Sequence, residues 1–174
     1  TEVERCVEDL NGRVDYIIGG ESSDIGVEST IVDCTVNPPL VLRPGGITLE
    51  MLKEINPEIE LDKALKSKPN DDFKPKAPGM KYKHYSPLAD VTVVMPGGAQ
   101  CEKVSAAYDS FVNSGRKTVI LAVSGHVGYY AGKNVVDMGK DSREYAHNLF
   151  AALRGCDKDG YDCAIAEGIG EEGY

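Results

Sequence analysis

Residues 77–87 read APGMKYKHYSP, and within this run Lys81, Tyr82, Lys83, His84 and Tyr85 set two ammonium groups, an imidazole and two phenols in consecutive positions. Flexible linkers are rich in Gly and Ser, and stiff ones in Pro or like charge. This one carries cations, donors and ring faces, the groups with which a chain covers an anionic ligand. A second candidate is Leu42-Arg43-Pro44-Gly45-Gly46, where an arginine ends an apolar run ahead of a fixed-φ proline and two glycines that permit a sharp turn. Arg43 there can present a rigid fork to a phosphate or carboxylate, or stand as a surface arginine before a tight turn. The third is Glu28-Ser29-Thr30-Ile31-Val32-Asp33. Ser29 and Thr30 put two hydroxyls at the mouth of a strand, suited to an amino acid or phosphate, or to ordinary turn and edge roles.

Weaker signals follow. Met95-Pro96-Gly97-Gly98 has one Gly pair without the spacing of a dinucleotide fingerprint, so a plain tight turn is the better reading. Ser124-Gly125-His126 follows a predicted strand at the end where parallel sheets bind ligands, yet His126 reads as a loop histidine. His147, between Tyr145 and Leu149 on a predicted helix, reads as a packing or surface residue. Glu167, Glu171 and Glu172 could attract a cation, but solvated loop charge is preferred.

The elements that position these residues fall into two blocks. In the first, Thr1 and Glu4 form a capping box for a helix carrying Val3, Cys6, Val7 and Leu10. Short strands are predicted at residues 15–18, 29–34 and 40–42, and Thr48 caps a helix with Leu49, Leu52 and Ile55. This α+β pattern has too few strands to close a core. Residues 56–76 are charged and without period, and are read as connector. The second block alternates: strand 91–95, helix 101–113, strand 118–123, strand 135–138, helix 142–154, strand 163–166. Such alternation implies α/β architecture, a Rossmann-like three-layer domain with a mainly parallel sheet. A helix at the first residue and a final strand without its following helix suggest truncation at both ends.

Composition bounds the function. At 174 residues the chain can form one large or two small domains. A formal net charge of −9 argues against a surface whose main task is to hold a nucleic-acid backbone, though a local basic cluster can still take a small anion. No apolar run approaches the ~20 residues of a membrane span, so no membrane role is expected. Five scattered cysteines without a Cys-x-x-Cys pair point to reduced thiols in a cytoplasmic protein.

Taken in order, Gly26 to Asp33, Leu42 to Thr48, the run 77–87 and Ile165 to Gly173 resemble the two-domain L-threonylcarbamoyladenylate synthases of the YrdC-like family, over nearly the whole chain. The resemblance implies that residues 1–56 are the C-terminal part of the YrdC-like catalytic domain, 57–88 the interdomain linker, and 89–174 the Rossmann-like C-terminal domain. It implies synthesis of threonylcarbamoyl-AMP from L-threonine, bicarbonate and ATP with release of pyrophosphate, for tRNA modification by a downstream system of tRNA or tRNA-modification proteins. Arg43 would contact the ATP phosphates, Ser29 with Thr30 would hold threonine, and Gly79, Met80, Tyr82, His84 and Tyr85 would close over the nucleotide. Mg2+ is expected with ATP, although no metal cluster is evident in the sequence. The family's upstream lysine/arginine-rich and Ser-x-Asn motifs are missing, so this piece alone is expected to be inactive. Lys81 and Lys83 stand where the family often has arginine, which keeps charge and loses bidentate geometry. The resemblance gives the C-terminal block no catalytic residue. Two other classes stay open: a double-stranded RNA-binding module and a non-catalytic threonine- or nucleotide-sensing domain.

Overall fold

A computed structural model describes residues 3–21, 24–66 and 86–170. The first helix, α1 (Val3–Leu10), has its apolar positions on one face, yet none is buried, and Val7 and Leu10 remain exposed. Gly12 ends the following turn in the left-handed region at φ 74°. Thr1, on which the expected cap rests, lies outside the described residues. The strand expected at 15–18 does not form. Tyr16 and Ile18 are 89% and 97% exposed, and no strand lies beside them among the described residues, so β propensity there has no ladder to join.

Two strands do pair in this block: β1 (Ile31–Asp33) runs antiparallel to β2 (Leu40–Arg43), with Val41 and Leu42 of β2 buried. The helix after them, α2 (Leu49–Ile55), starts as its cap predicts, the Thr48 hydroxyl accepting from the Met51 amide at 3.3 Å. Residues 56–76, read as connector, contain further structure. A two-residue strand, β3 (Glu60–Leu61), lies parallel to β2, and a 3-10 turn follows at Lys63–Lys66. Two residues show no period, and β2 supplies the register: the Asp62 amide donates to the Val41 carbonyl at 2.9 Å.

The second block forms as the alternation predicts. Its elements are β4 (Asp90–Val94), α3 (Gln100–Asn113), β5 (Thr118–Ala122), β6 (Val135–Asp137), α4 (Ser142–Lys158) and β7 (Cys163–Glu167), with a 3-10 turn at Ser124–Tyr130. All four strands are parallel in the order β4-β7-β5-β6. The central strands β5 and β7 are buried throughout and carry apolar residues on both faces, as a sheet covered on two sides requires. Val119, Leu121, Ala164 and Ala166 pack with Tyr145 and Cys156 of α4. Ile120, Ala122 and Ile165 pack with Val104 and Tyr108 of α3. Helix, sheet and helix thus make three layers, each large aliphatic side chain contributing roughly 1.5–3 kcal/mol by burial. Because β7 inserts between β4 and β5, the carboxyl ends of these three strands lie side by side, and the segments leaving them share one rim.

The two blocks touch across α4. Arg154 grips the Asp9 carboxylate with two bonds of 3.2 and 2.6 Å, and the His147 ring lies 3.1 Å from the Asp24 carbonyl. Gly26 sits at φ 75° against this helix, where a Cβ would stand 2.4 Å from the His147 Cα. His147 is therefore a packing residue between the blocks.

Candidate functional site

The arginine at the end of β2 does not point freely into solvent. Its Nε and Nη2 donate to the Ser29 carbonyl at 3.0 and 2.9 Å, Nη2 donates also to the Ser29 hydroxyl at 3.1 Å, and Nη1 meets the Glu28 carboxylate at 2.8 Å. Of the five N–H groups of a guanidinium, four are engaged in this way and one on Nη1 has no partner among the described residues. The planar fork makes this possible, and an ammonium could not copy it. The Ser29 hydroxyl, accepting from Arg43, keeps its own proton to donate outward.

The turn after β2 brings these groups together. The Gly46 amide donates to the Glu28 carbonyl at 3.1 Å, and a Cβ on Gly45 would lie 2.2 Å from that same oxygen. The glycine is required by close backbone approach. The Thr30 hydroxyl donates to the Ile47 carbonyl at 2.6 Å and accepts from the Ile47 amide at 3.1 Å, pinning β1 to the start of α2. Arg43 and Ser29 are thus joined directly, with Thr30 beside them, a juxtaposition that the antiparallel pairing of β1 and β2 produces. Gly79, Met80, Tyr82, His84 and Tyr85, with Lys81 and Lys83, lie outside the described residues.

A second arrangement occupies the rim of the parallel sheet, and it corrects two sequence readings. Glu167, expected as solvated loop charge, is the last residue of β7 and is 1% exposed. His126, expected as a plain loop histidine, places Nδ1 3.0 Å from Glu167 Oε1. The same oxygen accepts from the Tyr130 hydroxyl and lies 3.9 Å from Cys101 Sγ, while Oε2 accepts from the Val123 amide at 2.8 Å. Burial, and then the Glu167 carboxylate beside it, push the Tyr130 phenol far above its ordinary value. Glu171 and Glu172 lie outside the described residues. Sequence reasoning missed this cluster because its members come from a helix start, a turn and a strand end separated by more than twenty residues each. The one local sign was an acid ending a fully apolar strand.

The rim is otherwise tied by the backbone. Gln100 donates through Nε2 to the Val94 and Gly168 carbonyls at 2.9 and 2.8 Å, holding the start of α3 to the ends of β4 and β7. Ser124 donates to the Asp137 carboxylate at 2.6 Å, and this bond with the Gly139 amide holds that carboxyl below its usual value. At the turn 95–98, a Cβ on Gly97 or Gly98 would meet nothing within 4 Å. That fits the plain-turn reading.

Comparison with known proteins resolves what the geometry leaves general. Residues 47–174 match the family model described as threonylcarbamoyl-AMP synthase, C-terminal domain, and residues 1–45 match the model described as telomere recombination. The chain belongs to the threonylcarbamoyl-AMP synthase family. Among curated family members it is 39% identical to the threonylcarbamoyl-AMP synthase of Pyrococcus abyssi over 99% of its length, and 34% identical to that of Bacillus subtilis over 99%. The Schizosaccharomyces pombe member is 35% identical over 94% of the chain. The chain spans 43–49% of the length of these relatives. A crystal structure of Pyrococcus abyssi Sua5 complexed with L-threonine superposes with a TM-score of 0.87 at 39% identity, covering 98% of this chain and 49% of that one. The α/β architecture of this family is therefore present here. Among the described residues no helix is long and apolar enough to cross a membrane.

Proposed function

We infer that this chain serves in the synthesis of threonylcarbamoyl-AMP from L-threonine, bicarbonate and ATP, with release of pyrophosphate, for the modification of tRNA. The observation that carries this reading is the Arg43–Ser29–Glu28 clamp at a strand mouth, in a chain that superposes closely on a relative crystallised with L-threonine. In this reaction the threonine amine condenses with bicarbonate to a carbamate, with loss of water. A carbamate oxygen then attacks the α-phosphorus of ATP in line as the bond to the departing pyrophosphate breaks. No protein nucleophile is required. The site must position two anions that repel each other and offset the charge that builds on the phosphate oxygens.

Ser29 is suited to the amino acid. With its oxygen accepting from Arg43, its own proton is available to a carboxylate or carbamate oxygen. Arg43 has one N–H left for a phosphate oxygen and otherwise fixes Ser29, while Thr30 ties the strand mouth to the start of α2 by its bonds to Ile47. Gly79, Met80, Tyr82, His84 and Tyr85 close over the nucleotide, residues 57–88 acting as the linker between blocks at 1–56 and 89–174. Mg2+ arrives with the triphosphate: the Cys, His and Glu set on the rim is not the oxygen-rich set this ion takes. Because the chain spans about half of its relatives, turnover is assigned to the full-length protein and not to this segment alone.

Purified full-length protein, incubated with ATP and L-threonine, is the test. Pyrophosphate release that requires both, and rises with bicarbonate, is the expected result. Tight binding of double-stranded RNA without pyrophosphate release would overturn the reading.

A further inference from the structure

The buried carboxylate of the second block has no part in that reaction. Glu167 side-chain atoms are wholly inaccessible, whereas His126 beside it is 43% exposed. Cys101 lies in the first turn of α3, His126 in the 3-10 turn after β5, and Glu167 ends β7. One ligand-type atom from each, Sγ, a ring nitrogen and a carboxylate oxygen, falls within 4.8 Å of the other two. They meet where segments leave the carboxyl ends of parallel strands, the usual place for a ligand in such sheets.

We propose that Cys101, His126 and Glu167 form a zinc-type site on the rim of the parallel sheet, with water as the fourth ligand. Tetrahedral zinc with bonds of about 2.0–2.3 Å needs ligand atoms roughly 3.3–3.8 Å apart. The His126 and Glu167 atoms stand 3.0 Å apart and the Cys101 and Glu167 atoms 3.9 Å, and all three lie within 4.8 Å of one another, so the partly exposed Cys101 and His126 side chains shift to close on the ion. Thiolate, imidazole and carboxylate together select zinc or a neighbouring transition metal over Mg2+ or Ca2+. The carboxylate is already oriented: the Val123 amide holds Oε2 and the Tyr130 hydroxyl holds Oε1, the kind of outer support that metal-binding carboxylates have. His126 is open enough to admit the ion and its water. On binding, the Cys101 thiol gives its proton to solvent. The His126 proton moves to Nε2 so that Nδ1 faces the metal, and Tyr130 stays on the carboxylate. Three segments that now meet through hydrogen bonds would be joined through one ion.

Co2+ reports the site directly. Metal-stripped full-length protein, titrated with Co2+ without ATP or Mg2+, is expected to develop a thiolate-to-cobalt charge-transfer band that saturates at one equivalent, bleaches on addition of Zn2+ and survives millimolar Mg2+. Cys101→Ser should abolish the band, and Cys34→Ser, at an exposed thiol, should leave it. His126→Ala should weaken Co2+ binding at least about tenfold, and Tyr130→Phe by about 10–100-fold, with the circular dichroism unchanged. Absence of a band, or a band that persists in Cys101→Ser, overturns the proposal. Cys101 and His126 are only partly buried, so these variants test the site without relying on a substitution at Glu167.

Discussion

Arg43 holds Ser29 by both ends of the residue: Nε and Nη2 share the Ser29 carbonyl at 3.0 and 2.9 Å, and Nη2 also donates to the hydroxyl at 3.1 Å. With the Glu28 carboxylate on Nη1, the guanidinium is a rigid insert between β1 and β2. Its observed contacts aim Ser29, and contact with a phosphate is the role proposed in addition.

Replacement of Arg43 should therefore affect both substrates. In the full-length protein, Arg43→Ala is expected to lower turnover by about 10²–10³-fold, equivalent to ~2.7–4 kcal/mol, and to raise the KM for threonine. Arg43→Lys keeps the charge without the fork and should recover little. Steady-state pyrophosphate release decides the matter, and wild-type rates in either variant would remove Arg43 from the site.

Gly45→Ala tests the turn that assembles the clamp. The added methyl meets the Glu28 carbonyl at 2.2 Å and the Ser29 carbonyl carbon at 2.6 Å, both backbone atoms that cannot turn aside. Overpacking of this kind costs about 1–3 kcal/mol. A lower urea midpoint with an unchanged slope is expected, together with weaker threonine binding by calorimetry.

Acid should loosen the contact between the blocks. Two bonds from Arg154 hold the Asp9 carboxyl below its ordinary value of 3.8, so this group favours the folded arrangement above that pH and the contribution is lost as pH falls through the lowered value. Asp9→Asn should remove this part of the acid response. Intramolecular cross-linking between α1 and α4 as a function of pH would show it. An identical acid profile in Asp9→Asn would contradict the assignment.

The run 77–87 is tested by function. His84→Ala combined with Tyr85→Ala should depress turnover in the full-length protein if these residues cover ATP. The same pair should be silent if the run is only a tether, a distinction that single-turnover kinetics measures.

Much of the architecture was legible because it is local. Alternating apolar strands and 3.6-period helices marked all six regular elements of the second block to within a few residues, and Thr48 announced α2 by its hydroxyl alone. The placement of Arg43 at the end of a strand ahead of a glycine turn, and of Ser29 and Thr30 just before another strand, was legible too. What failed was what depends on distant partners. Residues 15–18 have strand propensity but no neighbouring strand among the described residues, and β3 has a neighbour but no visible propensity.

The sequence by itself determined the identities and periods, hence the layers, the turn glycines and the family motifs. Tertiary structure alone decided that Arg43 fastens onto Ser29 and Glu28, and that Glu167 is buried with His126, Tyr130 and Cys101 around it. The physical reason lies in the strand order. Inserting β7 between β4 and β5 makes neighbours of residues far apart in the chain, and an acid that looks solvated in a linear reading becomes the centre of a buried polar cluster.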